Sequence, residues 1–354
     1  MIEVILTAPL LTVQDTGRFG RRHLGVPRCG MLDVPALQKA NLLLGNPLDA
    51  AGLEITFAPV RLKALADHHI VLMGTDLQAQ LFDANNKAGQ VLVPGFVHAW
   101  PAGHTLHLAA APQGVGRACL AIAGGIDVPL VLGSRSTDLA NRFGGLEGRA
   151  LITGDTLPVG QPDAGTIPVR GVRQPVADGQ LRVLPGPDYA ELSAADRDTL
   201  WHTSWRVGAA SNRMGLRLDG TPLTLVDAGS RLSYGVLPGQ IQVPADGCPI
   251  VLAADAQTTG GYPCIGSVVS ADLWQLAYLT PGAFIRFVEV DLSTAQYLRQ
   301  HQAAHLQWLA QHLRGPADPL SSAQPLSAQP RSAQPRSATP QPPAGGPRRT
   351  TGNV

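Results

Sequence analysis

Short apolar runs broken by Gly, Pro, Asn and Asp dominate most of the chain: IEVILTA, LEITFA, HIVLMG, ACLAIAG, LRVLPG, IQVP, IVLAAD and FIRFVEV. Runs this short, rich in β-branched residues and bounded by turn formers, predict strands of barrels or sandwiches rather than repeated βαβ units. Helical spacing is rarer. Residues 33–44 (DVPALQKANLLL) predict a helix with Asp33 as N-cap, Pro35 in the first turn and Gly45 at the stop. A further helix is expected around residues 187–200. Residues 293–314 place Tyr297, Leu298, His301, His305, Leu306, Leu309 and Leu313 at helical spacing ahead of Gly315-Pro316. Beyond that point Ser-Ala-Gln-Pro recurs, a composition with too little apolar surface to offset its ordering entropy, so residues 315–354 are expected to form a disordered tail. The Pro, Gly and polar stretch 161–180 predicts a boundary. The expectation is a mainly β protein with few helices: a β-barrel-like domain over 1–165, a second over 166–292, a helix over 293–314, then the tail.

Composition narrows the classes. The 354 residues are 44% hydrophobic and 15% charged, which suits a globular protein. Lys and Arg number 27 against 26 Asp and Glu, so the net charge of +1 leaves no electrostatic footprint for nucleic acid or an anionic membrane. No apolar run approaches the roughly 20 residues that span a bilayer. The N-terminus, MIEVILTAPLLTVQDTGR, lacks the basic and apolar regions of a signal peptide, so a cytoplasmic protein is expected. Cys29, Cys119, Cys248 and Cys264 form no C-x-x-C pair; reduced, mostly buried thiols are expected rather than zinc ligands or disulfides.

Walker, dinucleotide-binding, nucleophile-elbow and H-E-x-x-H signatures are absent. His98, His104 and His107 match no standard metal spacing and read as structural or surface histidines, so no metal site is expected. Four polar, glycine-rich loops carry the candidate chemistry. In 12–30 (TVQDTGRFGRRHLGVPRCG), Asp15 and Arg18 either lock a turn as an ion pair or grip a carboxylate or phosphate. In 133–148 (GSRSTDLANRFGGLEG), Ser134, Ser136 and Thr137 beside Arg135, Asp138 and Arg142 offer hydroxyls, backbone N–H groups and charge to an anion. The third is Ser211-Asn212-Arg213-Met214-Gly215. The fourth, 255–263 (DAQTTGGYP), holds Gln257, Thr258, Gly260 and Gly261. Ordinary turn chemistry competes with a ligand role in the last two.

The succession TVQDTGRFG, CGMLDVPALQKANLLLGN, LEITFAP, AIAGGIDVPLVLGSRSTDL, SNRMGLRL, GVLPGQIQVPADGCPIVLAADAQTTGGYP and LTPGAFIRF resembles the family of bacterial 5-oxoprolinase C subunits. That family sits within the biotin-dependent carboxyltransferases, which include one half of the urea carboxylase carboxyltransferase domain and the KipA sporulation regulators. The resemblance covers residues 2–290. It implies two cyclophilin-like β-barrel domains and two partner polypeptides, one KipI-like and one LamB/YcsF-like. It further implies ATP-driven opening of 5-oxoproline to L-glutamate, with Mg²⁺ accompanying the ATP and this chain inactive alone. For such a substrate, Asp15, Ser134, Arg135, Ser136 and Asp138 are the catalytic candidates. Arg18, Arg142, Ser211, Asn212, Arg213, Gln242, Gln257, Thr258, Gly260 and Gly261 are the candidates for binding substrate or ATP. Two alternatives follow from the same resemblance: a carboxyltransferase component acting with other polypeptides, since no biotin-acceptor lysine module is present here, or a KipA-like regulator that antagonises a KipI-type kinase inhibitor.

Overall fold

Every run read above as a strand forms one. In the first half of the computed structural model, strands assemble into two sheets. One runs, in spatial order, Thr156–Leu157, Ile2–Leu6, Val60–Ala64, Thr105–Leu108, Gln80–Phe82, Ala88–Val91; the other runs Leu11–Gln14, Gly52–Ile55, Ala118–Ile122, His68–Gly74, Val97–Trp100. Their facing sides share one core, with Ile2, Val4, Leu62 and Leu106 of the first sheet packed against Leu53, Ile55, Ile70 and Leu120 of the second. The structure describes residues 1–111, 116–162, 167–226 and 231–313; the segment expected as a tail lies outside them.

The outer face of the second sheet is buried too, which is why its central strand reads ACLAI without polar alternation. Leu120 and Ile122 point into the shared core, whereas Cys119 and Ala121 point the other way, under α1 (Val34–Leu44). That helix forms as its sequence dictates: Asp33 Oδ1 accepts the Ala36 N–H at 2.8 Å, and Gly45 ends it in the left-handed conformation, φ +75°.

The second half is a closed barrel in the order Gln180–Pro185, Cys264–Val268, Gln240–Gln242, Ile250–Leu252, Gly215–Asp219, Trp205–Val207, Phe284–Glu289. All neighbours pair antiparallel except the first and last strands, which close the barrel as a parallel seam with Leu181 opposite Phe287. Leu181, Val183, Trp205, Ile241, Val251, Ile265 and Phe287 fill it. The helix expected around 187–200 is displaced. Residues Tyr189–Glu191 make a 3₁₀ turn, and α2 begins afresh at Ala194 and runs to His202, because Ser193 Oγ accepts the Asp196 N–H and starts a new helix there. The last helix, α3 (Leu292–Leu313), follows the seam and is mostly exposed, with Leu309 buried and Leu313 packed on the layer that holds α1. No helix among the described residues is long and apolar enough to cross a membrane.

Between the halves, the described part of 161–180 is strapped along the second sheet: the Val97 N–H reaches Arg170 O at 2.9 Å, and the Gly74 N–H reaches Gln174 Oε1 at 2.6 Å.

Candidate functional site

The first two candidate loops, more than a hundred residues apart in sequence, are one structure. Asp15 follows a strand whose side chains are buried throughout and is itself buried. Its Oδ1 accepts from the Gly17 N–H (2.8 Å), Ser134 Oγ (2.6 Å) and Ser136 Oγ (2.5 Å), and Oδ2 accepts from the Arg135 N–H (2.6 Å). A carboxylate so enclosed is a mould for the 133–136 turn. The Ser134 and Ser136 hydroxyls, candidates for cradling a ligand, are fully buried donors to Asp15. Arg18 is equally enclosed: Nε donates to Val131 O at 3.1 Å, Nη2 to Ser136 O, and the guanidinium lies 4.6 Å from the Phe143 ring centre. It does not pair with Asp15; both hold the same turn from opposite sides.

Asp138 does not orient an arginine. Its carboxylate accepts the Asn141 N–H (3.0 Å) and Nδ2 (2.9 Å), closing its own turn, while Arg142 stands exposed at φ +56°. Arg135 is half-buried and donates to Val128 O and Asp127 Oδ1, both at 2.8 Å. A 290 Å³ polar groove passes over this turn, lined by Asp15, Arg135, Asn46, Asp49 and the paired glycines Gly124 and Gly125. Gly124 is forced by close approach: at φ +87°, a Cβ there would lie 2.1 Å from Gly160 O.

Arg213 lies at the junction of the two halves. Its Nε and Nη2 make a fork with Asp255 at 2.8 Å each, Nη1 donates to Glu54 Oε1, and Nη2 also donates to Gly30 O at 2.7 Å. Burial alone would lower the Arg213 pKa, but the Asp255 and Glu54 carboxylates more than offset it and raise it. Glu54 also accepts the Leu32 N–H at 2.8 Å and stands 3.6 Å from Arg117 Nε. Beside Arg213, Asn212 Oδ1 accepts the Met214 N–H and Ser211 Oγ accepts the Arg217 N–H, so these two shape the turn that presents it. A second tie crosses the junction where Tyr278 Oη donates to Asp33 Oδ2 at 2.6 Å.

Burial pushes the Asp33 pKa from its ordinary 3.8 up to about 6, despite the Tyr278 and Ala36 hydrogen bonds. An acid whose pKa is raised by folding binds its proton more tightly when folded, so this contribution to stability is greatest below pH 3.8 and falls away as pH rises to about 6. Asp33→Asn is therefore expected to flatten the stability profile across that window, measured by urea unfolding from pH 4 to 7; an unchanged slope would refute the assignment.

The remaining candidates gather elsewhere on the barrel, around the short pair Tyr234–Gly235 and Thr259–Gly260. Gln242 is buried there, with Nε2 3.4 Å from Tyr234 Oη and directly under Gly260, where a Cβ would meet it at 2.9 Å. The backbones of Gln257, Thr258 and Gly261 accept from Arg22 Nη2, the Val236 N–H and the Arg231 N–H. The candidates thus fall into three groupings: the Asp15 turn, the Arg213 junction and the Gln242 rim.

Sequence reasoning missed Glu54, Arg117 and Tyr278. The available signal was the lone acid inside LEITFA, a strand buried on both faces, since a charge there must be paired. His98 is buried and hydrogen-bonded to Gln90 and Val93, and His107 stacks 4.0 Å from Phe82. All four thiols are free, with Cys29, Cys119 and Cys264 buried; burial raises Cys264 to about 11. Among the described residues no cluster of three or more His, Cys, Asp or Glu is placed to hold a metal.

The carboxyltransferase domain, subdomain A and B, matches residues 24–289, a span that takes in the Arg213 junction, the Gln242 rim and the 133–136 turn. The chain belongs to this carboxyltransferase family. Within it, the chain is 42% identical to the 5-oxoprolinase C subunit of Escherichia coli over 313 residues, covering 88% of this chain and 99% of that one. To the protein of the same name from Haemophilus influenzae it is 35% identical, covering 86% and 96%. The crystal structure of Kluyveromyces lactis urea carboxylase superposes with a TM-score of 0.77 at 28% identity, covering 87% of this chain and 29% of that larger one. The mainly β architecture with its seven-stranded barrel is thus the carboxyltransferase fold.

Proposed function

We propose that this chain is the C subunit of an ATP-dependent 5-oxoprolinase. The observation that carries the reading is the end-to-end likeness to the E. coli protein, 42% identical with 99% of its length covered. The proposed reaction opens the lactam of 5-oxo-L-proline to L-glutamate as ATP becomes ADP and phosphate. The enzyme works in the cytoplasm, with a KipI-like and a LamB/YcsF-like polypeptide as the other two components, and this chain is inactive without them.

The substrate demands a cationic partner for its carboxylate, and positioned donors for the negative charge that grows on the lactam oxygen as the ring opens. The Asp15 mould fixes the turn that carries the Arg135 side chain; the backbone N–H of Arg135 is already given to Asp15 Oδ2. A polyphosphate fits this groove poorly: Arg135 is already paired with Asp127, and Asp15 and Asp49 face it. We therefore place nucleotide and Mg²⁺ binding on one of the other two polypeptides. A second reading, carboxyl transfer in a biotin-dependent enzyme, is favoured by the superposition on urea carboxylase.

The test is glutamate and ADP release from 5-oxoproline and ATP, using this chain with its KipI-like and LamB/YcsF-like partners and with each omitted. Turnover only in the full mixture is expected. An assembled but silent mixture that carboxylates an amide when given carboxybiotin would establish the second reading instead.

A further inference from the structure

We infer that the cavity at the junction of the two halves is the pocket for the substrate's carboxylate and ring, with Arg117 as the carboxylate's ligand; this rests on the oxoprolinase reading above. The cavity's volume of about 240 Å³ is enough to admit a five-membered ring bearing one carboxylate. Its lining includes polar groups, Arg117, Arg213 and Asn212, and apolar ones, Leu32, Leu279 and Pro281 among others. A small amphipathic acid needs both: a fork donor for the carboxylate and hydrocarbon for the ring methylenes.

The two arginines differ in availability. Arg213 has every nitrogen committed to Asp255, Glu54 or Gly30. Arg117 uses Nη1 on Ala277 O (2.8 Å) and Nε on Thr56 Oγ1 (3.4 Å), keeps 18% of its side chain exposed, and has Nη2 left to serve a ligand. Its carboxylate neighbour Glu54 stands at 3.6 Å and is shared with Arg213. Burial consequently holds the Arg117 pKa below its ordinary value, whereas that of Arg213 is raised. Arg117 is thus a buried cation that its surroundings do not fully compensate, and an incoming carboxylate supplies what is missing. Asn212 spends its Oδ1 on the Met214 N–H, which leaves its amide N–H₂ for the lactam oxygen.

The experiment uses the reconstituted enzyme of all three polypeptides and compares the wild type with Arg117→Lys and Ala209→Trp. Lys keeps the charge beside Glu54 but loses the fork. Ala209 is an exposed residue at the cavity's rim, outside the ion network, and Trp there narrows the cavity. Each variant is expected to raise KM for 5-oxoproline about tenfold or more while leaving KM for ATP unchanged, Arg117→Lys through the lost charge-assisted hydrogen bonding and Ala209→Trp through the narrowed cavity. If Arg117→Lys does not fold, Ala209→Trp decides alone. An active wild type whose variants show unaltered KM for 5-oxoproline overturns the pocket and leaves the oxoprolinase reading standing. A wild-type enzyme silent on 5-oxoproline overturns that reading and the pocket with it.

Discussion

Replacing Arg213 with Met is expected to lower the unfolding free energy by about 3–5 kcal/mol, a large share of the roughly 5–15 kcal/mol that keep an ordinary domain folded. The reason is asymmetry. With its partners present, the guanidinium satisfies Asp255, Glu54 and the Gly30 carbonyl at once. Without it, Asp255 is stranded and Glu54 keeps the Leu32 N–H and, for charge, the more distant Arg117. Asp255→Asn leaves Arg213 one carboxylate and should lose less, about 1.5–3 kcal/mol. Because the network is buried, high salt should rescue neither variant, unlike a surface pair. Urea unfolding of the full chain in low and high salt checks all three statements; an Arg213→Met variant within about 1 kcal/mol of wild type would show that the junction does not depend on this cation.

Asp15→Ala is the second large effect. It leaves two buried serine hydroxyls and the Gly17 and Arg135 N–H groups without their acceptor, for an expected loss of about 3 kcal/mol. Asp15→Asn keeps one acceptor but turns an N–H₂ toward donors, so an intermediate loss is expected. Activity should separate the mould from mere stability. In the assembled enzyme at a temperature where both variants remain folded, Asp15→Asn is expected to lower kcat at least tenfold, since the displaced turn carries Arg135. Wild-type kcat in a folded Asp15→Asn enzyme would remove the turn from the chemistry.

Much of the fold was legible because local signals agreed with tertiary needs. The Asp33 cap, Pro35 and Gly45 fixed α1 at both ends, and the short apolar ACLAI run predicted the strand that forms there. The helix around 187–200 was misplaced because composition alone does not reveal that Ser193 caps a new start. The site was less legible for a more general reason. Glycine loops rich in Ser, Asp and Arg advertise hydrogen bonds without saying whether the partner is a ligand or the protein itself. Here Asp15, Ser134, Ser136 and Arg18 spend theirs on one another and on the backbone. Arg117 lies in none of the four loops, and its role follows from a partner, Glu54, more than sixty residues away in sequence.

The parallel seam of the barrel has a consequence for how the chain is made. The strand Gln180–Pro185 emerges from the ribosome roughly 100 residues before its partner Phe284–Glu289, an interval of roughly 5–20 s at ordinary rates of synthesis. For most of that interval both flanks of the early strand lack partners, because its other neighbour, Cys264–Val268, is also made late. A nascent chain truncated before Phe284 thus presents a ready strand edge to its neighbours on a polysome, and the hazard of misassembly lasts until the final strand has been made.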